Sequence, residues 1–249
     1  MAAWLGLILP FALVLARTSA FLGVLPLFSS RTIPRQAKVG LAVLMTIFYA
    51  MLVPPIDVAS GQMKALAAVV LVGREALCGL GLGLAARLVF VAMQQGGVLI
   101  GRQMGFAFAS IIDPSSGEST QPFGLYMDTL FTLLFLIAGG HHLLLRLIGR
   151  SYEVLPVGSA ADFGVLASAV AAAGSAMLLF ALKLAAPLLA AILILSVVLG
   201  VLARVLPEMN VLLTSLPLRV GVGLLTAVAM VPLLETFVRE ITGWMGRLL

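Results

Sequence analysis

Charge is what this sequence has least of. Only 10% of its 249 residues are Asp, Glu, Lys or Arg, where soluble domains usually carry about 25%. With 62% hydrophobic residues and a mean hydropathy of +1.19, the chain has more apolar surface than one core of this size can hide. Lipid or partner subunits must cover the remainder. Cysteine is almost missing: Cys78 stands alone, which excludes an internal disulfide. Histidine occurs only as His141 and His142. Neighbours on a helix diverge by about 100°, unlike the spaced pair of a helical metal site, so no metal is expected. Strand-like alternation is absent too, and the chain reads as an all-α membrane protein. Nucleophile elbow, Walker motif and paired carboxylates are all lacking. Those absences argue against an enzyme and against a cofactor. The GLGLG of residues 79–83 follows no strand, so it is not a nucleotide loop.

What is present is a series of apolar runs: 4–28, 39–56, 65–101, 123–145, 163–203 and 211–234. A spanning helix needs about 20 such residues. The run 163–203 would measure about 60 Å as one straight helix, roughly twice the hydrocarbon thickness. It must tilt, kink at Pro187 or Gly174, project from the bilayer, or fold as a hairpin. If all six runs were simple crossings, one side would receive Arg31, Arg35, Lys38, Arg102 and Arg204. The other would receive Lys64, Arg146, Arg150, Arg239 and Arg247. That tie violates the usual cytoplasmic bias in Lys and Arg: either these runs are not the true spans or the chain takes an unconventional path through the membrane. The opening MAAWLGLILPFALVLARTSAF has no basic stretch before its apolar run, and apolar text resumes after Arg17. It is expected to be a retained helix. The net charge of +5 is scattered singly through apolar text, which suits anionic headgroups and membrane lipid better than nucleic acid.

Small residues recur at helical spacing. Gly79 and Gly83 form one GxxxG; Gly97, Gly101 and Gly105 extend another. Each opens a groove that a second backbone can approach, either from the same chain or from a neighbouring subunit. Glu75, Arg87, Asp128 and Lys183 interrupt apolar runs and are candidates for buried charge pairs or for an ion pathway. Arg150–Glu153 and Glu235–Arg239 have the spacing of surface ion pairs. The Gly139–Gly140 step suggests a helix break at the membrane boundary.

Between two long runs lies QMGFAFASIIDPSSGESTQPFG (103–124), which has no Lys or Arg and is broken by Gly and Pro; taken by itself it reads as a solvated loop between helices, since loops mostly run over the surface. Taken with RTSAFLGVLPLFSSRTIPRQAKVGLAV (17–43), REALCGLGLG (74–83), GGHHLLLRLIGRSYEVLPVG (139–158), KLAAPLLAAILI (183–194) and ARVLPEMNVLLTSLPLRVGVG (203–223), it resembles the FliR family of flagellar biosynthetic proteins. The likeness runs in order along nearly the whole chain. One departure is PEMN at 207–210, where the family more often has PQMN.

The resemblance implies a pore-forming subunit of the flagellar type III export gate, at the bacterial inner membrane in the flagellar basal body. It implies FliP, FliQ and FlhB as partners and unfolded flagellar proteins as cargo. It further implies one helical unit over 1–249, with long kinked helices. A FliP-like part would cover about 1–160 and a FliQ-like helical hairpin about 161–249. Region 105–123 corresponds to a movable pore plug in that family. Gly105, Phe106, Phe108, Ile111, Ile112, Asp113, Pro114 and Gly117 would then belong to the plug. Their chemistry suits the role. Gly105 permits a sharp departure from a helix, the Phe and Ile side chains dewet a narrow channel, and Asp113 with its polar neighbours satisfies turns. Small-residue grooves at Gly79, Gly83, Gly97 and Gly101 would pack the assembly. Injectisome export subunits share this fold and mechanism, although 96–124 and 139–158 read closer to the flagellar branch. A secondary transporter or ion channel built on the four intramembrane charges is the competing class.

Overall fold

The computed structural model describes residues 2–29, 33–52, 65–106, 122–159, 163–206 and 211–246. Among these residues there is no strand. Among the described residues eight helices follow in order: α1 (Ala2–Val24), α2 (Pro26–Ser29), α3 (Arg35–Leu52), α4 (Ala65–Gln103), α5 (Pro122–Ile137), α6 (Gly140–Val154), α7 (Phe163–Val205) and α8 (Val211–Met245). The chain is therefore all-α. Four of these helices are long and apolar enough to cross a membrane, or five if α5 and α6 count as one broken span.

The long apolar runs become single helices. α7 is continuous over 43 residues with Pro187 inside it, and α4 over 39. Leu, Ala, Val and Met supply strong helix formers throughout, and proline inside a long apolar helix need not end it when neighbouring groups satisfy the freed carbonyls. The run 123–145 divides instead. α5 stops at Ile137 and α6 starts at Gly140, with Gly139 left-handed at φ 75°. The Gly139–Gly140 break read from the sequence is therefore present. Pro122 opens α5, where a missing N–H costs nothing. The final helix runs eleven residues past the expected limit of 234, because Glu235–Arg239 and their neighbours continue it as a polar turn.

Two compact units organise the described residues. The first draws on 1–88, 139–174 and 242–249; the second on 89–138 and 175–241. In the first unit α1 crosses α4 at very short range. A Cβ added to Gly79 would collide with the Arg17 carbonyl, and one on Gly83 would lie 2.9 Å from the Phe21 carbonyl oxygen. Both helices use the same four-residue step, 17 and 21 against 79 and 83, so their ridges and grooves interlock. Phe21, Leu25, Leu13 and Cys78 are buried around the crossing. In the second unit Gly97 meets Gly124 and Met127 of α5, while Gly96 meets Ala181 and Leu184 of α7. Phe90, Phe131 and Phe135 form an aromatic cluster with ring centroids 5.0–5.9 Å apart. Edge-to-face pairs of this kind add to simple area burial.

Outside α4, most of the span-capable surface is nonetheless uncovered. The chain itself buries only 17% of an apolar 18-residue stretch of α8 and 28% of one in α7, against 56% in α4. Ile137, Leu225 and Met51 are 82%, 74% and 85% exposed. The shortage of charge has the consequence read from composition: these faces need an apolar environment outside the chain.

Two glycine substitutions separate packing from propensity. Gly79→Ala is expected to destabilise the purified chain by roughly 1–3 kcal/mol, because the methyl group forces α1 off α4. Gly174→Ala sits where a Cβ meets nothing within 4 Å, inside α7. It is expected to be neutral or to stabilise by up to about 1 kcal/mol. Thermal midpoints in detergent compare the two.

Candidate functional site

The C-terminal end of α4 is closed by two reciprocal hydrogen bonds. The Phe106 amide donates to the Gly101 carbonyl at 3.1 Å, and the Gly105 amide donates to the Arg102 carbonyl at 3.1 Å. Gly105 has φ 93°. A left-handed glycine with this pair of bonds is the Schellman stop of a helix, which satisfies carbonyls the helix leaves open. Gly105 therefore takes the chain out of α4, as its lack of a Cβ permits. Phe106 is half-buried and lies beside Gly101, whose added Cβ would be 3.7 Å from its ring. Phe108, Ile111, Ile112, Asp113, Pro114 and Gly117 lie outside the described residues.

A second constellation lies buried in the first unit. Arg17 of α1 donates from Nε to Glu75 Oε2 of α4 at 2.6 Å, with the two side chains 1% and 5% exposed. Its Nη1 donates to the carbonyls of Ser151 (3.1 Å) and Leu155 (2.8 Å) at the end of α6. The other Glu75 oxygen accepts from the Gly158 amide at 2.9 Å. Tyr152 lies under the guanidinium, with its ring centroid 4.6 Å from Cζ, and its hydroxyl pairs with Thr18 at 2.9 Å. Every part of this network answers a physical need. Two charges taken out of water cost several kcal/mol each unless paired and fully hydrogen-bonded. The last carbonyls of a helix lack partners and attract a cation. The stacked tyrosine adds cation–π attraction.

The four intramembrane charges singled out from sequence do not pair with one another among the described residues. Glu75 finds Arg17, which the sequence reading passed over. The signal was an arginine within an apolar helix, but its partner lies 58 residues away. Lys183 pairs with Glu240 at 2.6 Å, both near half-exposed. Arg87 is exposed and Asp128 half-buried. Gly79 and Gly83 are filled by α1, Gly97 by α5, and Gly101 lies 3.2 Å (as an added Cβ) from Phe123. Of the two occupants left open for these grooves, the one present is the chain's own. Glu235 and Arg239 form the expected exposed pair at 2.7 Å. Arg150 and Glu153 do not: at i,i+3 on α6 they make no ion pair. The His141 and His142 rings lie 4.1 Å apart, closer than their divergence along a helix suggests. No group of three or more His, Cys, Asp or Glu among the described residues is placed to hold a metal.

Removing one member of the buried pair leaves the other charge stranded. Glu75→Gln is expected to cost about 3–5 kcal/mol, whereas the double change Arg17→Met with Glu75→Leu restores much of that loss. Unfolding of the detergent-purified variants measures both. Equal destabilisation by the single and double changes would contradict the desolvation argument.

The sequence profile of the bacterial export proteins, family 1, matches residues 8–244. The chain is 33% identical over 234 residues to the flagellar biosynthetic protein FliR of Escherichia coli K12, covering 94% of this chain and 88% of that one. It is 32% identical over 225 residues to FliR of Pectobacterium carotovorum, covering 90% and 85%. The Yop proteins translocation protein T of Yersinia pestis is 29% identical over 175 residues, covering 67% and 65%. With a profile match across nearly its whole length and relatives above 30% identity over most of theirs, the chain belongs to the bacterial export proteins, family 1.

Proposed function

We propose that this protein is a pore-forming structural subunit of a flagellar type III protein export gate in the bacterial inner membrane, with no catalytic role of its own. FliP, FliQ and FlhB are its partners in this reading, and unfolded flagellar proteins are the cargo. The observation that carries it is family membership along residues 8–244, with similarity to the Escherichia coli and Pectobacterium FliR proteins that is higher and reaches further along the chain than similarity to the Yersinia translocation protein. The flagellar assignment is therefore favoured over the injectisome one. The uncovered faces of α7 and α8 are the surfaces that sibling subunits occupy. Residues 1–160 act as the FliP-like part and 161–249 as the FliQ-like hairpin, whose helices are α7 and α8.

The plug is residues 105–123. Its support in the structure is the Schellman stop, which ends α4 at the point where the plug begins. Non-helical backbone at membrane depth is tolerated only where protein buries it or where it lines a water-filled cavity. Closure must be reversible, so its contacts total only a few kcal/mol, the usual gap between two switch states. The small-residue sites around Gly97 and Gly101 hold the α4 end against α5, and so set where the plug starts.

Deleting residues 106–120 is expected to leave assembly intact and to let small ions or dyes leak into cells. Assembled, tight cells would end the plug assignment. A tagged chain purified in mild detergent is expected to bring FliP and FliQ with it. Recovery of a solitary chain that moves a small solute after reconstitution would support the transporter class instead.

A further inference from the structure

The first unit holds a groove that the export reading does not use. It lies between the last two turns of α3 and the length of α6, with the end of α8 at Met245 and Gly246 also lining it, and its volume is about 840 Å³. That is within the range of sites that bind small ligands. One wall is apolar, formed by Met45, Phe48 and Leu52 of α3. The other carries His142, Arg146 and Arg150 at steps of four along α6, hence on one stripe. Tyr49 stitches the two walls together: its hydroxyl donates to the Leu145 carbonyl at 2.8 Å. Its ring edge lies 3.4 Å from where a Gly149 Cβ would be, so a larger residue there would push against the ring.

The two walls ask for one amphiphilic occupant. Arg146 and Arg150 are exposed, and neither forms an ion pair among the described residues. Phe48 and Leu52 are 58% and 65% exposed beside them. An inorganic anion would satisfy the arginines and leave the apolar wall wet; a neutral hydrocarbon would do the reverse. α3 is long and apolar enough to cross a membrane, and the groove occupies its final turns, where a span meets the headgroup layer. We propose that this groove binds an acidic phospholipid. The phosphate sits on Arg146 and Arg150, and an acyl chain lies along Met45, Phe48 and Leu52. Glu153, at the end of the same stripe, offsets one of the two positive charges. The two arginines and Glu153 together then carry one net positive charge, which matches a singly charged headgroup. The site stands whether or not residues 105–123 plug a pore.

Native mass spectrometry of the full chain in mild detergent tests it, with phosphatidylglycerol, phosphatidylethanolamine of the same acyl chains, and inorganic phosphate as probes. Phosphatidylglycerol is expected to be retained in preference to phosphatidylethanolamine and to resist competition by excess phosphate. Arg146→Gln with Arg150→Gln is expected to weaken its retention roughly tenfold or more, and Phe48→Ser to weaken it and to make it more open to competition by phosphate. Should the double variant fail to fold, Glu153→Gln provides the second arm: removing the opposing charge is expected to tighten phosphatidylglycerol binding several-fold. Equal retention of the two lipids, insensitivity to these substitutions, or displacement by phosphate would overturn the site.

Discussion

The first unit is organised around one ion pair in a place where ions are costly. Arg17 and Glu75 are almost completely buried, and further hydrogen bonds tie Arg17 Nη1 to the end of α6 and Glu75 Oε1 to the turn after it. That arrangement depends on two others. Gly79 and Gly83 let α1 lie close enough to α4 for a 2.6 Å contact, and the positive φ of Gly158 presents its amide to the carboxylate. In a unit made largely of interchangeable aliphatic side chains, few contacts distinguish one helix register from another. A buried charge that is satisfied in only one alignment supplies that distinction, which is the best-attested use of such pairs.

Much of this architecture was legible in the sequence, for definable reasons. Helix existence follows from the length of the apolar runs, and α3, α4, α7 and α8 all sit where those runs lie. The break before α6 follows from Gly139–Gly140, and the departure at Gly105 from the need for a residue without a Cβ. What was hidden depends on distance along the chain. Glu75 stood out as a carboxylate in apolar text, but nothing local names Arg17 as its partner. Gly79 and Gly83 announced a close approach, yet periodicity cannot say which helix arrives. The groove between α3 and α6 joins segments nearly a hundred residues apart, so neither wall alone reads as a site. Pro187 does not divide its run: α7 continues through it, as the length of the apolar text alone would suggest.

The balance of interior and exterior fits the proposed role. The described core is real but small relative to the apolar surface, and α3 and α8 are the least covered of the span-capable helices. A protein meant to stand alone in water would not survive this. One that adds its helices to those of sibling subunits needs it, because the apolar area left open is what drives their association. The same logic explains why so few polar side chains are needed. They occur where a helix must be held in register or ended, and where the surface changes environment.

Lys183 and Glu240 carry that last point further. Lys183 lies at the middle of the 43-residue α7, and the pair is nearly half-exposed among leucine, valine and isoleucine. An ammonium and a carboxylate facing hydrocarbon would be strongly disfavoured, even in contact with each other. The strip of α7 and α8 that bears them is thus suited to water or to polar groups of another molecule rather than to lipid tails. The pair acts as a compass needle on the second unit, telling its wet meridian from its oily one, and it does so without reference to which end of the chain lies in which compartment.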